Sequence, residues 1–187
     1  MVFSSIAFLY YFLPVTLLLY IGVPKALRNL VLLLASLIFY FYGEPIYTLL
    51  LIFSSFSDYI HSLYIEKNRG TSRAKWALIS SVTVNLGMLF FFKYADFLIL
   101  NVNEMLGFQI PTLNLTLPIG ISFFTFQTMS YTIDVYRGDV SAERNPIALA
   151  AYVSLFPQLV AGPIVRYKTI ADALKERTLD IFEVSKG

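Results

Sequence analysis

Eight side chains bearing a hydroxyl, amide or carboxyl group stand within residues 117–135: Ser122, Thr125, Gln127, Thr128, Ser130, Tyr131, Thr132 and Asp134. The surrounding stretch, 105–133, has no charged residue and is long enough for a membrane-spanning helix. The polar groups spread around that helix, so no face of it suits lipid alone. Such a helix belongs inside a bundle, where its polar groups either hold neighbouring helices or line a path for a polar substrate. Ser122, Thr125, Gln127, Tyr131 and Asp134 are the lining candidates. At i,i+3, Asp134 and Arg137 can pair at the helix end.

A second stretch reads as broken. Residues 145–165 are twenty-one uncharged positions, apolar enough for a membrane, yet they contain Pro157 and the pair Gly162-Pro163 and are followed by Arg166. Each break frees backbone groups that hydrocarbon cannot satisfy, so such a segment needs protein or a wet cavity around it. Residues 147–156 give roughly 15 Å of helix, about half of a 30 Å hydrocarbon core. Pro157 is expected to break the helix there and let the chain re-enter rather than cross. Pro157, Gly162, Pro163 and Arg166 join the site candidates.

Other chemistry is thin. His61 is the only histidine, three residues from Asp58, and reads as an interfacial side chain. No Ser-His-Asp set, metal-ligand cluster or phosphate-cradling glycine loop can be assembled. With no cysteine there is neither a disulfide framework nor thiol chemistry. A net charge of +2 is too small to suggest nucleic acid.

The elements that must position these groups are membrane helices. Hydrophobic residues make up 57% and charged residues only 14%, against about 25% charged in soluble domains. Residues 6–23 read as a retained first span, because basic residues and a small-residue cleavage site are both missing. Residues 30–60 divide at Gly43-Glu44-Pro45 into 30–42 and 46–60. Residues 76–92 and 117–136 are further spans, and 101–117 reads as a helix end followed by a loop. The expected fold is all-α, a bundle of about five spans plus a re-entrant broken helix. Six basic residues (Lys25, Arg28, Lys67, Arg69, Arg73, Lys75) follow the first and third spans, against none at the intervening ends. That bias puts the N-terminus outside and the basic loops in the cytoplasm. Residues 1–187 form part of one membrane domain, with 168–187 a cytoplasmic amphipathic tail. Asp180 and Glu183 announce a helix that residues 181–187 are too few to complete. The chain is therefore expected to be a fragment.

Two segments carry a resemblance. Leu117-Pro118-Ile119-Gly120-Ile121-Ser122-Phe123-Phe124-Thr125-Phe126-Gln127, continuing to Tyr136-Arg137-Gly138, is one. Pro157-Gln158-Leu159-Val160-Ala161-Gly162-Pro163 is the other, and Tyr40-Phe41-Tyr42-Gly43-Glu44 also fits. The chain resembles the membrane-bound O-acyltransferases, in the branch of the bacterial alginate O-acetylation proteins. The D-alanyl transfer proteins of teichoic acid synthesis share the layout, but the 157–163 run is more similar to the alginate type. The resemblance implies an integral inner-membrane enzyme that passes an acyl group across the membrane. Its donor would be cytoplasmic acetyl-CoA or a related acyl donor, used as a substrate with no bound cofactor. The acceptor would be a polysaccharide hydroxyl, with periplasmic acetylation proteins as partners. The family's catalytic histidine is expected downstream of Gly187 and His61 does not match it, so the chain by itself is expected to be inactive. Two readings from other classes stand beside this: a fragment of a transporter or channel with a polar permeation path, and a non-catalytic membrane scaffold.

Overall fold

A computed structural model describes residues 5–161 and 165–175, and its regular structure among them is helical throughout. A short π-helical turn, Phe8–Phe12, leads into α1 (Leu13–Gly22). A 3-10 turn (Lys25–Leu27) then starts α2 (Arg28–Gly43). Glu44 (φ −140°, ψ 71°) leaves the helical region, as a residue before proline is biased to do, and Pro45 opens α3 (Pro45–Lys67) at a position where its missing N–H has no intrahelical partner to lose. α4 (Ser72–Leu106) ends at Gly107, whose φ of 67° is the left-handed helix stop that glycine takes most easily. α5 (Ile121–Arg137), α6 (Pro146–Ser154), α7 (Phe156–Ala161) and α8 (Tyr167–Lys175) complete the order.

α3 is the hub, packed against α2, α4, α5 and α6, while α6 also lies along α2. Beside an apolar core the molecule buries many polar groups and exposes many large apolar ones. Asp58, Ser62, Ser81, Asn85, Thr128 and Thr132 are buried, whereas Leu18, Ile46, Leu49 and Trp76 stand about 70% exposed. Two helices, Lys25–Gly43 counted with its 3-10 turn and Ser72–Leu106, are long and apolar enough to cross a membrane. The division at Gly43-Glu44-Pro45 is observed, with α2 and α3 extending past the limits 30–42 and 46–60. α4 runs well beyond 76–92. Its 35 residues make about 52 Å of helix, exceeding a 30 Å hydrocarbon core by several turns.

The surplus of α4 is built into a cap. Asp96 accepts from the backbone N–H groups of Leu113 (2.7 Å) and Leu115 (3.1 Å), and Asn103 exchanges two hydrogen bonds with Ile110. The Tyr47 hydroxyl donates to the Thr116 carbonyl (2.8 Å), tying this loop to the start of α3. The loop then turns into α5 through Gly120, where φ is 78° and a Cβ would lie 2.9 Å from the Leu159 carbonyl oxygen. At the other end of the bundle, Arg69 donates to the Val135 (2.9 Å) and Val140 carbonyls, and Arg144 pairs with Glu66. The basic α3–α4 turn and the α5–α6 loop therefore lie together.

Candidate functional site

The segment after the α5–α6 loop is a hairpin, built in four steps. Asn145 caps α6, its side chain accepting from the N–H groups of Ile147 (2.9 Å) and Ala148 (3.4 Å). α6 stops at Ser154 because Pro157 has no N–H for the carbonyl four residues back and its ring would clash with it. The break falls at Leu155 (φ −52°, ψ 109°), two residues earlier than Pro157 itself, and Pro157 sits in the first turn of α7. This corrects the expected site of the break: a proline disrupts the turn before it, and its own fixed φ suits a helix start.

The groups freed at the break find protein partners. The Phe156 N–H donates to Ser36 Oγ of α2 (3.3 Å), and the Leu155 carbonyl accepts from Gln158 and Leu159 (3.0 Å each). The Phe156 ring packs among Phe8, Phe12 and Phe39 with centroids 5.5–5.9 Å apart. Edge-on aromatic contacts of this kind add about 0.5–1.5 kcal/mol each beyond area burial.

The returning limb is clamped to the end from which α6 started. The Tyr152 hydroxyl donates to the Val165 carbonyl (2.7 Å). The Tyr167 hydroxyl donates to Glu143 Oε2 (2.5 Å), and the Glu143 N–H donates to the Tyr131 hydroxyl (2.8 Å). The Tyr167 ring stands edge-on to Tyr131 (4.8 Å) and Tyr152 (5.3 Å). Burial first, then the bond to Glu143, pushes the Tyr167 phenol well above its ordinary pKa, so it remains a donor at physiological pH. Tyr167→Phe should destabilise the protein by about 1–3 kcal/mol, because it leaves a buried carboxylate short of a donor. Thermal unfolding of the full-length protein in detergent measures this. Glu143→Gln, which keeps an acceptor at that site, should cost less, and an unchanged Tm in Tyr167→Phe would remove the clamp from the account.

α5 divides its polar groups between two partners. Towards the hairpin, Gln127 donates to the Tyr152 carbonyl (3.0 Å) and Tyr131 joins the clamp, also donating to Ser62 Oγ (3.2 Å). Towards α3 and α4, Thr128 and Thr132 meet a network around Asp58. Asp58 accepts from Ser81 Oγ (2.6 Å) and Asn85 Nδ2 (2.7 Å), while Ser54 and Thr128 each lie 3.3 Å from Asn85 Oδ1.

The described candidates have differing surroundings. Thr125 and Asp134 are buried, each with an oxygen (Oγ1 and Oδ2) that has no hydrogen-bond partner among the described residues. Ser122 is half-buried, and Pro157 and Arg166 are exposed. Gly162 and Pro163 lie outside the described residues, as do Asp180 and Glu183. Asp134 does not pair with Arg137; the ion pair among the described residues joins Arg144 to Glu66. Arg137 is exposed in the last turn of α5, so its side chain keeps solvent while Asp134 turns inward. Three apolar grooves mark the surface, and none is lined by any of these candidates. His61 bridges α3 and α4, with Nδ1 2.7 Å from the Ser57 carbonyl and Nε2 3.2 Å from Ser80 Oγ. Sequence reading missed the Asp58 network and Glu143. The signal for the first was present, since Ser54, Asp58 and Ser62 recur at four-residue spacing, as do Ser81 and Asn85.

An all-helical bundle whose interior mixes apolar and polar side chains, with many exposed apolar residues and a proline-broken segment, fits a membrane-embedded protein with a built interior. Comparison with known proteins narrows this. Over its whole length the chain is 43% identical to the probable alginate O-acetylase AlgI of Pseudomonas aeruginosa and 42% identical to that of Pseudomonas putida. Over 95% of its length it is 32% identical to a peptidoglycan O-acetyltransferase of Helicobacter pylori. No family model and no solved structure matches it. Along its whole length the chain is therefore similar to one part of the alginate O-acetylases, members of the membrane-bound O-acyltransferase family. It spans 37%, 40% and 39% of the lengths of these three relatives.

Proposed function

We propose that the whole protein transfers acetyl groups from a cytoplasmic donor, acetyl-CoA or another acyl donor, across the inner membrane towards polysaccharide hydroxyls. The observation that carries this reading is the 43% identity to an alginate O-acetylase along the entire chain. The likeness to a peptidoglycan O-acetyltransferase supports the same chemistry on a second kind of glycan. Periplasmic acetylation proteins would hand the group on to the polymer.

In this reading the helices form about five spans with the N-terminus outside, and the hairpin enters the bilayer from the cytoplasmic side. Its exposed Arg166 stands at that mouth, where a guanidinium suits the negative charges of a phosphorylated donor. Ser122, Thr125, Gln127, Tyr131 and Asp134 line the path on α5, and the unpartnered oxygens of Thr125 and Asp134 support a wet or substrate-bearing seam there. The test is deletion of the gene with measurement of ester-linked acetyl on secreted polysaccharide and on peptidoglycan. Acetyl should fall on one polymer and return with the wild-type gene. Unchanged acetyl on both would overturn the proposal.

A further inference from the structure

Asp58 lies in polar surroundings that, among the described residues, hold no lysine or arginine to balance it. It is fully buried at the contact of α3, α4 and α5. His61, one turn along α3, turns its nitrogens to the Ser57 carbonyl and to Ser80 instead. An ionised carboxylate so placed is costly unless something positive joins it.

What surrounds it is oxygen. Ser54, Ser81, Asn85, Thr128 and Thr132 are all buried beside Asp58. The hydroxyls of α5 also have somewhere else to send their protons: Thr128 Oγ1 lies 3.2 Å from the Thr125 carbonyl, and Thr132 Oγ1 lies 3.0 Å from that of Met129. Donation there leaves their lone pairs facing the cluster. Asn85 commits its amide hydrogens to Asp58 Oδ2 and the Ser81 carbonyl (3.0 Å), so its Oδ1 also faces inward. Asn85 Oδ1 lies 3.3 Å from the hydroxyls of Ser54 and Thr128, and Ser81 Oγ lies 3.3 Å from Thr132 Oγ1. That spacing is long for an O–H···O bond. It matches the gap between neighbouring ligands held at right angles about 2.3 Å from a small hard cation.

We propose that this cluster binds one Na+ ion, a site separate from the acetyl path. One carboxylate balances one positive charge, whereas the divalent ions taken by all-oxygen sites usually meet more than one carboxylate or keep several waters. Six side chains from three helices would close around the ion, so its binding would couple the packing of α3, α4 and α5.

The test is thermal unfolding of the purified full-length protein, with NaCl replacing choline chloride at constant ionic strength. Saturating Na+ should raise Tm by about 4 °C, and K+, which is larger, should do much less. Asp58→Asn should abolish the Na+ response. Thr128→Val and Thr132→Val should shift it to higher Na+, which keeps the test decisive should Asp58→Asn not fold. A wild-type Tm equal in Na+ and choline would overturn the proposal, the outcome expected if a proton neutralises Asp58. So would a full response in Asp58→Asn. Acetylation is not the readout, so this test stands or falls apart from the proposed function.

Discussion

Gly120→Ala is expected to cost about 2–4 kcal/mol of stability, combining backbone strain with overpacking. Two independent terms act at that residue. Its φ of 78° is strained for any residue with a Cβ, and the added methyl would stand 2.9 Å from the Leu159 carbonyl oxygen and 3.1 Å from Leu159 Cγ. The carbonyl belongs to α7, so relief must come from moving the hairpin away from α5. If the hairpin belongs to the acetyl path, acetylation should fall by about a hundredfold for a displacement near 1 Å. Gly87→Ala is the control. That glycine is helical, has nothing within 4 Å of a built Cβ and takes no positive φ. Alanine there should be neutral or stabilising by up to about 1 kcal/mol. Thermal unfolding and the acetyl content of the polysaccharide measure both variants. Equal behaviour of the two would show that the Gly120–Leu159 approach does not hold the hairpin in place.

The elements that sequence made legible are those written in local chemistry. Gly43-Glu44-Pro45 separates two helices because a proline starts one and forbids the residue before it from continuing the other. The helix break before Pro157 was legible for the same reason, though its position slipped by two residues because the disruption acts backwards along the chain. The length of α4 was not legible: 76–92 read as the span and 101–117 as a helix end with a loop, and only the loop at 107–118 folding back onto Asp96 shows why the helix continues. The site was harder still. Asp134 and Arg137 have pairing distance along a helix, but which of them faces the bundle depends on α6 and α8, which no local pattern announces. Asp58 was visible as an isolated charge among apolar residues. The five polar residues of its network come from three helices, and the contact of Ser54 with Thr128 through Asn85 is a property of packing alone.

The hairpin has a topological consequence that labelling can read directly. Asn68, in the α3–α4 turn, and Lys168, at the start of α8, lie towards the end of the bundle where Arg69 bonds to Val135 and Tyr167 to Glu143. Asn114, exposed with a φ of 51°, lies in the loop at the opposite end. These 187 residues hold no cysteine, so a single cysteine at any of these positions reports alone once any cysteine elsewhere in the full-length protein is replaced. The basic loops should be cytoplasmic. In intact cells an impermeant thiol reagent should therefore label Asn114→Cys strongly, and Asn68→Cys and Lys168→Cys only after permeabilisation. The near all-or-none contrast follows from geometry. The nine residues of α6 rise only about 14 Å, less than half the hydrocarbon thickness, and the Tyr152–Val165 bond holds the chain after the break close to α6. Labelling of Lys168→Cys from outside, with Asn68→Cys still protected, would mean that 146–165 crosses the membrane, and the clamp of Tyr167 on Glu143 could not form in the cell.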